Sequence, residues 1–404
     1  MKAIALALAM LTPGVAPAAP CDGPVCNFET LGPWADRMSG ASEPGRPPVH
    51  ILQVGDSHTA GDAVTGAWRG MVQGQFGGGG RGVLPPGRPY AGYQTRGVSV
   101  SMSPGWRIDS TFGKGARLIN PLIGMSGFAL TSTAPGQRMA LKADTPEMAF
   151  DRVVLCAFAG MYAKSVTVRT DAGEQAIDLT SDIAEPRCAT LHFDTLQMQV
   201  ELIADAGPVT ITSWATFRDN GGVAVSNLGI VGSQLLHFSR TDDAVLREEM
   251  RAYAPDLIVL AFGTNEGFGP RIDAVAYEAV LRGQIERLRT LAPGVPILLL
   301  GPPDALSRNA ALRGPGAVEC GDGLFTPAGL DQVRRVQRKV ASEMAVAWWD
   351  WQARMGGICS ARSWVTQAPV RMRGDYVHFN ATGGEDIAVQ LLSDISETLF
   401  EKRS

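Results

Sequence analysis

A serine hydroxyl does chemistry only when a neighbouring base takes its proton. The stretch "ILQVGDSHTAGD", residues 51–62, offers such a serine: an apolar run ends on Gly55-Asp56, and Ser57 follows at the corner. Five histidines could serve as the base: His50, His58, His192, His237 and His378. His50 falls inside the apolar run and reads as core. His58 adjoins Ser57, so its side chain should diverge from the serine's. His192 falls among β-rich segments, and His237 follows an apolar pair on an expected helix. His378 differs, because Asp375 stands three positions before it in "GDYVHF", residues 374–379. That spacing lets one carboxylate reach the far imidazole nitrogen within a single turn and fix its tautomer.

Acyl transfer also needs donors for the negative oxygen that forms on the attacked carbonyl. Two further polar corners supply candidates. One is the turn at residues 229–233, with the Gly232 amide; the other is "GTNE", residues 263–266, with the Asn265 side chain. The Ser57 amide would be a third. Each motif is common when alone: DxxH is usually a solvated loop, and a lone glycine or asparagine usually serves a turn. What points to chemistry is that all of them stand at the ends of apolar runs, where open α/β sheets gather their sites.

The elements that must position these residues can be read from pattern. Residues 49–54, 256–262, 295–303 and 346–351 are apolar runs of the kind buried in parallel sheets, and "VSNLGIVGSQL" reads as strand and turn. Helical spacing occupies residues 64–76, 241–253 and 273–291. Another helix starts at "TPAG", with Thr326 as N-cap and Pro327 at the first helical position. The last begins at "TGGE", where Thr382 and Glu385 have capping-box spacing. Strands alternating with helices imply a parallel sheet covered on both faces. Residues 97–222 have another texture, with short Val-, Thr- and Ile-rich runs separated by turn signals, as in an antiparallel β-sandwich. An α/β domain of residues 49–96 plus 223–404 is thus interrupted by a β-module. The stretch "GGGGRGVLPPGRP", residues 77–89, contains GxGxxG but follows a helix, so it reads as a loop and not a dinucleotide site.

The chain has 404 residues, is 45% hydrophobic and 19% charged, and carries a formal net charge of −4, which leaves no basic footprint for nucleic acid. "MKAIALALAMLTPGVAPAAP" has a lysine, a short apolar run and a small-x-small site, so residues 1–18 read as a secretory signal, with residues 19–48 irregular after it. No segment is long enough to span a bilayer. Six cysteines in an exported chain favour disulfides; many pairings are open, and spacing favours Cys21–Cys26, Cys156–Cys188 and Cys320–Cys359. There is no CxxC and no histidine cluster to hold a metal.

With these blocks in order, the sequence resembles the SGNH, or GDSL-like, hydrolases. "GDSH" matches the first block, with Ser57 as nucleophile; "NLGIVGSQ" the second, with Gly232 as oxyanion donor; "GTNE" the third, with Asn265; and "DYVH" the last, with Asp375 and His378. The resemblance covers the α/β portion. It implies a three-layer α/β/α domain, a serine esterase mechanism and no metal or organic cofactor. His58 stands where many members carry leucine, though GDSH forms occur. The glycine-rich stretch, the β-module and "WWDWQARMGG" look similar to bacterial peptidoglycan O-acetylesterases, in which a carbohydrate-binding-like β-sandwich interrupts the hydrolase. That likeness implies a periplasmic enzyme whose partner is an O-acetylated envelope glycan. Arg81 and Arg88 would then be candidates to hold an anionic glycan group, although loop arginines are usually just solvated. Trp106, Trp214, Trp348, Trp349 and Trp351 could stack on sugars or belong to the core. Two other functions use the same residues: an O-acyltransferase, in which a sugar hydroxyl replaces water, and an idle hydrolase that only binds glycan. Retention of every chemical group argues against the last.

Overall fold

The computed structural model describes residues 21, 23–113, 122–268 and 272–399. The expected signal segment, residues 1–18, lies outside them.

The central sheet runs in the order Val25–Cys26, Ala347–Trp349, Ile297–Leu300, Leu257–Ala261, Val49–Gly55, Val223–Gly229. Val25–Cys26 is an antiparallel edge; the other pairings are parallel. Leu52 and Val54 point to one face, with the helices Asp243–Tyr253, Ala274–Leu291 and Ala328–Met344. Val49 and Ile51 point to the other, with Gly32–Ser39, Val64–Phe76 and Ala381–Leu399. Both faces are therefore covered, and this is why the strands read as continuous apolar runs rather than alternating ones. The three layers are those expected from sequence.

Val49–Gly55 comes first in the chain yet lies between the second and third parallel strands. The direction of winding reverses there, and the crevice beyond the carboxyl ends at such a switch point is where open α/β sheets place ligands. Gly55 pairs with Gly229 on one side and Ala261 on the other, so three loops leave the sheet at one level.

Between the first two parallel strands stands the β-sandwich. One antiparallel sheet holds Gly173–Asp178, Ser165–Thr170, Gln199–Ala204, Gln137–Ala143 and Val98–Met102. The other holds Glu185–Gln197, Phe150–Ala159, Thr210–Phe217, Phe128–Ser132 and Trp106–Ser110. Leu141, Val168 and Leu202 of the first pack on Leu130, Leu155 and Trp214 of the second. Residues 82–84, expected in a loop, form the strand Gly82–Leu84 and pair with Thr210–Phe217, stitching the glycine-rich stretch to the sandwich. That stretch is glycine for a reason: a Cβ on Gly80, at φ +86°, would lie 2.7 Å from the Phe217 Cα.

Other differences are local. Residues 19–48, expected to be irregular, contain the helix Gly32–Ser39; Phe28, Leu31 and Trp34 are buried, and Pro33 lies in the first turn. Thr326 is not an N-cap: it ends the strand Leu324–Thr326, and Pro327 takes the cap position. The last helix starts at Ala381, capped by Asn380, whose Oδ1 accepts the Gly383 N–H at 3.0 Å. The disulfides are Cys21–Cys26, Cys156–Cys188 and Cys320–Cys359, as spacing favoured.

Candidate active site

The nucleophile corner is built by two small devices. Gly55 ends the strand where a Cβ would lie 2.6 Å from the Ala261 carbonyl oxygen, so the adjacent strand can approach only glycine. Asp56, buried and extended at φ −94°, accepts the His58 N–H at 2.9 Å and caps the turn Ser57–Ala60. Ser57 is the first residue of that turn, so its N–H has no partner within it.

The second segment is the loop before the last helix. Asp375 Oδ1 accepts the N–H groups of Val377 and His378, each at 2.9 Å. Arg373 donates its N–H to the His378 carbonyl at 2.8 Å, and Tyr376 takes a left-handed φ of +59° to close the turn. Asp375 Oδ2 then lies 2.9 Å from His378 Nδ1, and His378 Nε2 lies 3.0 Å from Ser57 Oγ. The carboxylate only accepts, so Nδ1 carries the proton and Nε2 is free to take one from the serine. Burial tends to raise the Asp375 carboxyl, but bonds from the His378 amide and ring and the Val377 amide hold it below the usual carboxylate range.

The second and third sequence blocks are sewn together beside this corner. Ile230 donates its N–H to the Gly55 carbonyl at 3.1 Å. Gly232 has φ +79°, and a Cβ there would lie 3.2 Å from the Phe112 ring. Asn265 Nδ2 donates to the Ser233 carbonyl at 2.9 Å, which occupies one of its two hydrogens. Gln234 Nε2 donates to the Asn265 carbonyl at 3.2 Å, and Leu235 N–H to Glu266 Oε1 at 2.8 Å. A cavity of about 220 Å³ opens at the serine, lined by Ser57, His378, Tyr90, Val231 and Arg373.

Several sequence candidates have other places. Arg81 is a correction: it is fully buried, bonded to Asn227, Thr95 and the Arg96 and Val225 carbonyls, so no substrate group reaches it. Its carboxylate neighbour is Asp62, 3.5 Å away, which Arg69 also holds. Arg88 is exposed and lines a second cavity next to the first. Trp106, Trp214, Trp348, Trp349 and Trp351 are all buried, and Trp351 stacks on Phe379 at 5.2 Å; they are core, not sugar platforms. His50 is buried between the Tyr253 carbonyl and Ser226, and burial lowers its pKa to about 4. Among the described residues there is no metal-ligand cluster, and no helix is long and apolar enough to cross a membrane. Sequence reading missed Tyr90 and Arg373 at the cavity; Tyr90 closes the glycine-rich stretch and Arg373 opens the catalytic loop, so proximity to named motifs was the available signal.

The GDSL-like Lipase/Acylhydrolase family matches residues 204–385, a span that contains Gly232, Asn265, Asp375 and His378 and leaves Ser57 outside. A solved peptidoglycan O-acetylesterase is similar over 93% of this chain and 99% of its own, with 26% identity and a TM-score of 0.75. The chain carries a GDSL-like hydrolase domain. Other solved structures resemble this hydrolase more distantly. A GDSL-like lipase from Parabacteroides merdae ATCC 43184 has 21% identity over 43% of this chain and 73% of its own, TM-score 0.31. A family two carbohydrate esterase from Cellvibrio japonicus has 16% identity over 74% and 98%, TM-score 0.27. No curated protein matches the hydrolase.

Proposed function

We propose that this hydrolase removes O-acetyl groups from a cell-envelope polysaccharide, with peptidoglycan the first candidate. The observation that carries the reading is the unbroken series Asp375–His378–Ser57, at 2.9 and 3.0 Å. It occurs in a chain alike, over 93% of its length, to a peptidoglycan O-acetylesterase.

In this reading Ser57 Oγ attacks the acetyl carbonyl carbon while its proton passes to His378 Nε2. Asp375 holds the imidazolium in place. The negative oxygen is met by the Ser57 and Gly232 amides and by the second hydrogen of Asn265 Nδ2. His378 returns the proton to the sugar oxygen, the C–O bond breaks, and the acetyl group stays on Ser57. Water, deprotonated by His378, then releases acetate. Residues 49–96 with 223–404 would do this chemistry, and residues 97–222 would present the glycan. Three disulfides suit an oxidising compartment, and we place the protein in the periplasm.

The test gives the mature protein a chromogenic acetyl ester and O-acetylated peptidoglycan, with and without an added glycan acceptor. Acetate release that is lost in Ser57→Ala is the expected result. Acetylated acceptor as main product would make the protein a transferase. Glycan binding without turnover would make it a binding protein.

A further inference from the structure

The nucleophile cavity does not end at Arg373. It continues into a second cavity of about 420 Å³, and the two share walls at Gly61, Gln94 and Arg373. Three arginines line the second: Arg88, Arg96 and Arg373. All three are exposed, and among the described residues none is ion-paired with a carboxylate. Elsewhere arginines such as Arg37, Arg152, Arg282 and Arg371 each hold an acidic partner.

The one acidic residue lining this cavity is Asp62, and its charge is already spent. Oδ1 accepts from Thr65 at 2.7 Å and Arg69 at 3.0 Å; Oδ2 accepts the Arg96 N–H at 2.9 Å. Burial tends to raise this carboxyl, yet Arg69 and Arg81 hold it below the usual range, so it stays an anion matched to buried cations and not to the cavity. Three arginines therefore line one space whose single carboxylate is already matched elsewhere.

We propose that this second cavity is a subsite for a carboxylate of the substrate, bound by Arg88, Arg96 and Arg373. The inference rests on the acetylesterase reading and narrows its substrate to an anionic glycan. Guanidinium forks match carboxylates in two-point contact, more strictly than an ammonium does. Arg373 sits on the loop that carries His378, with its N–H on the His378 carbonyl at 2.8 Å. A carboxylate docked on it is thus positioned relative to the base. Arg88 and Arg96 come from the glycine-rich arm, so the subsite exists only where two distant segments meet. The carboxylate belongs either to the sugar ring or to a short peptide attached to it.

The experiment uses the full mature protein and three O-acetylated peptidoglycan fragments. One is intact, one has its carboxylates converted to amides, and one has the peptide removed to leave only the sugar's own carboxylate. Amidation should raise KM about ten- to a hundredfold, the loss expected for charge-assisted hydrogen bonds. Arg88→Gln, Arg96→Gln and Arg373→Gln should each shrink the ratio of kcat/KM between intact and amidated fragments. Raised salt should shrink it further. A KM for the peptide-free fragment as low as for the intact one assigns the carboxylate to the sugar; a KM raised to that of the amidated fragment assigns it to the peptide. Equal KM for intact and amidated fragments in the wild type would overturn the subsite, as would variants that leave the ratio alone. Arg88 and Arg96 lie off the catalytic loop, so they decide the matter if Arg373→Gln disturbs that loop. Absence of acetate from every fragment would defeat the acetylesterase reading instead. Calorimetric binding of intact against amidated fragment would then still decide the subsite, in either direction.

Discussion

His58 Nε2 lies 3.0 Å from the carbonyl oxygen of Val377, so the residue after the nucleophile is tied to the residue before the base. The other ring nitrogen, Nδ1, lies 3.2 Å from Asp56 Oδ1. Both partners are acceptors, so the two contacts together favour the protonated ring. Burial opposes that charge, but Asp56 and the Val377 carbonyl outweigh it, and the pKa stands above the ordinary 6.5. This strap holds the Ser57 turn and the His378 loop in register beside the direct Ser57–His378 bond.

Replacing His58 by leucine, the residue many similar hydrolases carry, removes the strap. The catalytic loop then positions His378 less tightly, and kcat should fall about ten- to a hundredfold with a smaller change in KM. Steady-state kinetics on a small acetyl ester check this; an unchanged kcat would refute the strap. The sign with pH follows from the raised value. The strap's stability is complete below pH 6.5 and is lost as pH rises through the folded pKa. The melting-temperature gap between wild type and His58→Leu should therefore narrow from pH 6 to pH 9.

Asp375→Asn keeps the shape of the loop and its two backbone bonds but removes the anion facing Nδ1. The imidazole can then adopt the wrong tautomer and its charged form loses support. A fall in kcat on the order of 10⁴ is expected, as for equivalent changes in other triads. Combining it with Ser57→Ala should cost no more than Ser57→Ala alone, because the residues act as one unit. Additive losses would mean that Asp375 works outside the relay.

The meeting of Ser57, Asp375 and His378 was legible before any coordinates because acyl chemistry fixes residue types, and because strand ends fix where those types must stand. Ser57, Asp375 and His378 each follow or precede a pattern that periodicity reveals. Arg81 was not legible. It lies five residues past a helix in a glycine-rich run, which looks like solvent-exposed loop, and only packing against Asn227 and Asp62 buries it. The caps slipped for a related reason. Thr326 and Thr382 have the right chemistry, but Pro327 and Asn380 occupy the positions where the backbone turns. Local spacing cannot choose between neighbouring capping residues when tertiary contacts set the register. The helix Gly32–Ser39 was missed because Pro and Gly around it masked the spacing of Phe28, Leu31 and Trp34.

Asn265→Ala tests the oxyanion reading separately from the triad. It removes a side-chain donor while Ser57 and His378 keep their bond. Loss of one such donor costs about 100- to 1000-fold in kcat, with little change in KM. Because Asn265 also donates to the Ser233 carbonyl, the variant loses that bond too, and its melting temperature is the control for structural damage. If Asn265→Ala keeps wild-type kcat, the side chain is not an oxyanion donor.

Arg81→Met probes the buried network instead of the substrate. The change leaves Asp62 with Arg69 as its one remaining cation and removes a partner from Asn227. Breaking a buried pair by removing one member costs about 3–5 kcal/mol. Urea denaturation should show a loss of that size at unchanged m-value. A variant as stable as wild type would mean that Arg81 is not structural.

Glu266 gives the last prediction, because its two oxygens are treated differently. Oε1 accepts the Leu235 N–H at 2.8 Å, whereas Oε2 is buried with no partner among the described residues. Burial pushes the carboxyl up to about 7, with the Asp56 charge adding to the shift. The unfolded value is 4.5, so the folded chain binds the proton more tightly. Stability from this group is complete below pH 4.5 and is lost as pH rises through 7. Glu266→Gln keeps an acceptor for Leu235 and cannot ionise. The unfolding free energy of wild type relative to this variant should therefore drop between pH 5 and pH 8, by on the order of 3 kcal/mol at most. Because Glu266 follows Asn265 and holds the loop after Gly232, the same titration should loosen the oxyanion side, and the variant should keep its kcat at pH 8 better than wild type does. A wild-type-minus-variant difference that stays flat across this range would show that Glu266 is already ionised at pH 5 and that burial does not govern it.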